Sequence, residues 1–87
     1  MSATLRTDAI RKVIRQIESA DGFRVFSTVG SIGGFRFVEE THVHEPAGAG
    51  YDDYWYWELT RESGMYATEQ EAFAEGMKAV PWLQNSN

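Results

Sequence analysis

The 87-residue sequence contains no cysteine, two prolines and no continuous apolar run of about 18 residues. Without cysteine, neither a disulfide nor a thiolate zinc site can stabilise so short a chain, so stability must come from core packing or oligomerisation. The lack of a long apolar run argues against a membrane-spanning helix. Polar residues interrupt the N-terminal segment throughout, which argues against a signal peptide. We therefore expect a cytoplasmic protein.

Positive charge is also scarce, with eight Lys and Arg residues against 13 Asp and Glu residues. The first 20 residues hold four cations and two acids, a net charge of +2, and the other 67 hold four cations and eleven acids, a net charge of −7. Proteins that bind the phosphate backbone need the opposite balance. The sequence therefore predicts no direct contact with nucleic acid.

Aromatic and β-branched segments suggest a mixed α+β fold. Apolar residues recur at helical spacing over residues 3–20, which predicts an amphipathic helix. Segments 23–29, 35–43 and 51–60 have strand composition and glycine-rich connections, and 65–67 could add a short fourth strand. Thr68 and Glu71 form the capping box of a second helix that Pro81 ends.

The predicted order is α-β-β-β-(β)-α, an antiparallel meander with both helices on one face of the sheet. We expect a single domain over residues 1–87, with 81–87 as a C-terminal tail whose Trp82 folds back onto the core.

Alternation of side chains along strands predicts two chemically different sheet faces. One face, the floor beneath the helices, would be phenylalanine, valine and tryptophan. Its predicted members are Phe23, Val25 and Val29 from the first predicted strand, Phe35 and Phe37 from the second, and Trp55, Trp57 and Leu59 from the third. The opposite face would be a recognition surface, since tyrosines interleaved with charge are typical of protein interfaces. The candidate partner-binding residues are Arg36, Glu40, His42, Asp52, Asp53, Tyr54, Tyr56 and Glu58.

The segment His42-Val43-His44 raises a second possibility, because two histidines two apart on a strand point the same way and can both reach a metal. Catalytic patterns are weaker. Asp52 and Asp53 are adjacent and would face opposite sides of a strand, and no nucleophile elbow or phosphate-binding glycine loop is present. The sequence predicts a protein that is not an enzyme and needs no cofactor.

The leading hypothesis is a small acidic module that docks to a protein partner. In one version, it is an inhibitor of the kind carried by phages or mobile elements, whose carboxylates imitate nucleic-acid charge on a basic, nucleic-acid-binding target. The alternatives are a metal-binding protein centred on His42 and His44, or a structural subunit or homodimer.

Overall fold

Four antiparallel strands in chain order and two C-terminal helices make up residues 12–84, the part of the chain that this computed structural model describes. The pairing order is β1-β2-β3-β4. No helix within these residues is long and apolar enough to cross a membrane. The elements are β1 (Lys12–Glu18), β2 (Arg24–Ser31), β3 (Gly34–Glu45), β4 (Tyr54–Glu62), α1 (Glu69–Ala79) and α2 (Pro81–Gln84).

The first strand corrects the prediction of a helix over residues 3–20, which is wrong for Lys12–Glu18; residues 3–11 lie outside the described part of the chain. A β-bulge between Val13 and Arg15 explains the error. Because a bulge adds one residue to a strand, Ile14 and Ile17 lie on the same face although they are three apart. Ile14 approaches Phe35 near Gly30, and Ile17 packs against the core. The apolar spacing that predicted a helix is therefore produced here by a bulged strand.

The expected hairpin after this strand is confirmed. β2 and β3 pair antiparallel around a tight turn at Ile32 and Gly33, and Gly34 takes a φ of 137°, which favours glycine. The fourth strand expected at 65–67 is reduced to an isolated bridge. In it, the amides of Phe35 and Tyr66 each donate to the other's carbonyl.

Helix α1 begins as its capping box predicts. The Thr68 hydroxyl accepts from the Glu71 amide, and the Glu71 carboxylate accepts from the Thr68 amide. The helix ends before Pro81, which starts the short helix α2. Trp82 packs against the core, as expected of the tail.

The core lies between the two helices and one face of the sheet, here called the near face. Phe26 and Phe37 supply its strand side, and Val80 and Leu83 its helix side. Helix α1 can pack close to the sheet because residue 76 is glycine. A Cβ at that position would lie 2.4 Å from two ring carbons of Phe26. The partly buried side chains around this core are Ile17, Tyr66, Phe73, Met77 and Trp82.

The opposite, far face does not have the composition that was expected. Phe26 and Thr28 pair with Glu39 and Phe37, which places the even-numbered residues of β2 on the near face. Phe23, Val25 and Val29, predicted to lie with Phe35 and Phe37, are therefore on the far face. Their assignment to the floor beneath the helices was wrong.

One ion pair joins the first strand to the helix across the core. The Arg15 guanidinium donates to both Glu69 oxygens at 2.8 and 2.9 Å and lies 3.7 Å from the centroid of the Phe73 ring. The Thr28 hydroxyl donates to Glu69 at 2.7 Å. The pKa of Glu69 is lowered below its usual value. The hydrogen bond from Arg15 is the largest cause, and the hydrogen bond from Thr28 adds to it.

We predict that Gly76→Ala lowers the free energy of unfolding by about 1–3 kcal/mol, because the added methyl overlaps the Phe26 ring. Urea denaturation followed by circular dichroism measures this. Gly64→Ala is the matched control, because a Cβ there meets nothing within 4 Å and the change should stay within about 0.5 kcal/mol. Equal effects of the two substitutions would contradict the close approach of α1 to the sheet.

Glu69→Gln should destabilise the protein in a pH-dependent way. The pKa of Glu69 is lower in the folded state, so its ionised form stabilises the fold above the unfolded pKa of about 4.3, and this contribution is lost as pH falls through the folded pKa. The stability difference from wild type should be largest near neutral pH and shrink in acid. Glu75→Gln, which removes only an exposed pair with Lys78, should show no such trend. A difference for Glu69→Gln that does not change with pH would contradict the role of this carboxylate.

Candidate docking surface

Strand β3 is much longer than the helix that packs on it. Its 12 residues span about 40 Å, whereas the 11 residues of α1 span about 16 Å. The helix therefore cannot cover the whole sheet, and the β3–β4 hairpin extends beyond it. We call residues 40–59 the hairpin arm. Every residue from Pro46 to Leu59 is exposed.

The arm has a defined register. On the far face, Glu40 pairs with Leu59, His42 with Trp57, and His44 with Trp55. On the near face, the pairs are Thr41 with Glu58, Val43 with Tyr56, and Glu45 with Tyr54. The register shifts at Glu39 and Glu40, which leaves Thr60 as an extra residue in β4. Gly48 and Tyr51 close the end of the arm through mutual backbone hydrogen bonds of 3.2 Å.

This register separates the predicted recognition residues. Tyr54, Tyr56 and Glu58 lie on the near face, beyond the helices. In contrast, Arg36, Glu40 and His42 lie on the far face. The expectation that the tyrosines share a face with His42 and Arg36 was wrong. Asp52 and Asp53 lie in the loop before β4.

A continuous row of rings covers the far face of the arm. The His42 ring lies 4.7 Å from both Trp55 and Trp57, measured between centroids, and His44 lies 4.8 Å from Trp55. Phe23, which immediately precedes β2, stacks on Trp55 with a centroid distance of 5.9 Å and an interplanar angle of 2°. Since neighbouring rings cover much of each other's faces, the row behaves as one preorganised apolar surface. Both indoles are still about half exposed, at 51% and 47%.

Tyrosines form the corresponding cluster on the near face. The Tyr54 ring lies 5.8 Å from Tyr56 and 6.1 Å from Tyr51. Desolvation by its neighbours, and then the charges of Glu58 and Glu45, raise the pKa of Tyr56. The phenol therefore lies in a negative field, with its hydroxyl available as a donor.

The charge of the arm has one sign. Residues 37–60 contain no lysine or arginine, whereas the arm carries five carboxylates. Within residues 12–84, the far-face cation nearest to the arm is Arg36, which is paired with Glu62. A partner would therefore meet rings surrounded by negative charge. The five carboxylates are Glu40, Glu45, Asp52, Asp53 and Glu58.

The two histidines are held by other contacts. His44 Nε2 lies 2.9 Å from Asp53 Oδ2, and the His42 ring is packed between the two indoles. Within residues 12–84, no group of three or more His, Cys, Asp or Glu side chains is arranged to hold a metal ion. The geometry therefore assigns the histidines to the ring row.

A cleft of about 400 Å³ lies where the arm meets helix α2. Its inner wall is the buried Glu39, whose oxygens accept from Trp82 Nε1 at 2.7 Å and from the Thr60 hydroxyl at 2.8 Å. Arg61 is 3.8 Å from the same carboxylate. Because its charge is already matched, Glu39 serves to fasten α2 to the sheet. The full lining is Arg24, Glu39, Thr41, Thr60, Arg61, Pro81 and Trp82.

Five exposed residues were not among the predicted candidates. Phe23, Trp55, Trp57 and Leu59 were assigned to the floor beneath the helices, and Tyr51 was placed at the start of the third predicted strand. One signal could have located the tryptophans. On β3, Phe37 is followed on its own face by Glu39 and Thr41, so the apolar near face ends there and has no place for two indoles.

No protein-family model, curated protein or solved structure matches this chain.

Trp55→Thr and Trp57→Thr should each cost about 0.5–1.5 kcal/mol of stability, because both indoles are half exposed and threonine retains strand propensity. Phe26→Ala, in contrast, should cost about 3–5 kcal/mol because that ring is fully buried. Urea unfolding midpoints compare the three variants. If a tryptophan variant were as destabilised as Phe26→Ala, the ring row would be part of the core and not a surface.

Proposed function

We propose that the protein is a non-enzymatic docking module whose hairpin arm binds a basic surface of a protein partner. One observation carries the proposal. The arm displays five half-exposed aromatic rings among five carboxylates, with no lysine or arginine between residues 37 and 60.

The exposed aromatic surface is large for a chain of this size. Five rings of the arm and Phe23 are each about half exposed. At roughly 150–250 Å² per ring, they present roughly 450–750 Å² to solvent. A typical stable interface buries about 800 Å² on each partner. A partner that contacts both faces of the arm would therefore find more than half of such an interface in the rings alone.

The chemistry of the arm matches cationic side chains. Tyrosine and tryptophan are the residues that most often dominate binding energy at interfaces. Their ring faces attract arginine and lysine, and the neighbouring carboxylates can pair with the same groups. Acidic residues around the anchors would also speed association with a basic partner in a salt-dependent way.

A nucleic-acid-binding protein offers such a basic surface. On that target the arm would occupy the groove that holds the phosphate backbone, and binding would compete with nucleic acid. The protein would then act as an inhibitor. Self-association through the arm is less favourable, because it brings the same five carboxylates together in both copies.

Removing one ring from each face of the arm in a double variant should weaken binding to the partner. A tagged protein should capture a stoichiometric partner from lysate, identified by mass spectrometry. Tyr56→Ser/Trp57→Ser should then weaken the measured affinity for that partner by at least about tenfold. The affinity of wild type should also fall steeply with added salt.

Ile32→Ser is the control, since Ile32 is 89% exposed in the β2–β3 turn, outside the arm. Circular dichroism must show that both variants remain folded. Equal loss of affinity in the control, or full binding by the double variant, would place the site elsewhere. An acidic or uncharged binding surface on the captured partner would contradict the charge argument.

A further inference from the structure

Strand β4 forms an outer edge of the sheet in the described part of the chain. It pairs with β3 on one side, and no described strand pairs with its other side. All nine of its residues are exposed. An edge of this kind presents unpaired backbone groups that can accept another strand.

The backbone groups on that edge can be assigned from one hydrogen bond. The His42 amide donates to the Phe23 carbonyl at 2.7 Å, so the backbone groups of His42 point toward β2. Since these directions alternate along an antiparallel strand, those of Thr41 and Val43 point toward β4. Their partners Glu58 and Tyr56 point back toward β3. Three residues of the arm therefore direct their amides and carbonyls outward: Trp55, Trp57 and Leu59.

We propose that the partner docks by adding an extended, basic segment to the outer edge of β4 along Trp55–Leu59. This inference rests on the proposed docking function and specifies how it is carried out. Backbone hydrogen bonds to the three outward residues would supply the register. Strand addition of this type is a common mode of peptide recognition.

The side chains around the edge fit a basic strand. Alternate residues of an added strand would lie on the two faces. Those on the far face would meet Trp55 and Trp57, and those on the near face would meet Tyr54, Tyr56 and Glu58. Arginine or lysine at these positions would contact rings and carboxylates together.

The two parts of β4 differ in how well their outer edge is protected from pairing, and this difference limits the length of the proposed site. Sheet edges are commonly protected by bulges and by cationic side chains. β4 has both in its second half, where Thr60 is the extra residue of the bulge and Arg61 follows. The first half, up to Leu59, has neither. The length of β4 without a bulge or a cation coincides with the aromatic, acidic arm.

Amide hydrogen exchange with a defined probe tests the proposal. The probe is a nine-residue peptide that alternates arginine with valine, acetylated and amidated at its ends, and the charge control replaces each arginine with glutamate. Saturating arginine peptide should slow exchange at Trp55, Trp57 and Leu59 by at least about tenfold. The amides of Tyr54, Tyr56 and Glu58, already bonded to β3, should change little. The glutamate peptide should have no effect.

A proline substitution separates strand addition from other contacts. Proline is tolerated on an edge strand where the amide faces solvent, so Leu59→Pro should leave the sheet intact while removing one outward donor. Leu59→Ala loses the side chain but keeps the amide. We expect the arginine peptide to bind Leu59→Pro at least about tenfold more weakly than Leu59→Ala.

The remaining outcomes are distinguishable. Equal binding by the two Leu59 variants, or binding that shifts arm signals without protecting the outward amides, overturns strand addition and leaves the docking function standing. Failure of wild type to bind the arginine peptide at all overturns strand addition and also counts against a basic partner. If Leu59→Pro proves unfolded, the exchange pattern of wild type decides alone.

Discussion

The length mismatch between helix α1 and strand β3 is the constraint on which the structure depends. An 11-residue helix covers about 16 Å, and a 12-residue strand extends about 40 Å, so one helix cannot bury the sheet it packs on. The part of the core that the helices cover lies around Phe26 and Phe37, where Gly76 allows helix α1 to come close to the sheet. The rest of the β3–β4 hairpin extends into solvent as a two-stranded arm, and its side chains are available for contacts other than folding.

Glu39 marks the boundary between the core and the arm. It is buried, and its oxygens accept hydrogen bonds from Trp82 on the helix side and Thr60 on the strand side. A buried carboxylate is tolerated only when its hydrogen bonds are satisfied, so this position fixes both α2 and the bulge in β4. The bulge in turn sets the register beyond it, which places the indoles on the far face and the tyrosines on the near face. One polar residue thus connects the packing of the core to the arrangement of the exposed rings.

The sequence predicted correctly those structural features that depend on only a few adjacent residues. Three such features are the capping box at Thr68 and Glu71, the β2–β3 turn, and the end of α1 before Pro81. Features that depend on distant residues were not predictable. The bulge near Ile14 imitates helical spacing, and only its pairing with β2 reveals a strand. The connection from Pro46 to Asp53 is long enough to allow either register of β3 against β4. A shift of one residue exchanges the two faces, which is why Trp55 and Trp57 were assigned to the core.

The acidity of the arm has a physical role that does not depend on a partner. An exposed edge strand with aromatic residues on both faces is a template for self-pairing and aggregation. Five carboxylates on the arm oppose that pairing, because a second copy brings like charges together. In the proposed docking mode the same carboxylates would favour a basic segment, so repulsion of a second copy and attraction of the partner would arise from one set of residues. Selectivity of this kind requires no enclosed pocket. Repulsion between the carboxylates of two copies explains how side chains as apolar as Trp55 and Trp57 can remain exposed in a chain with a small core.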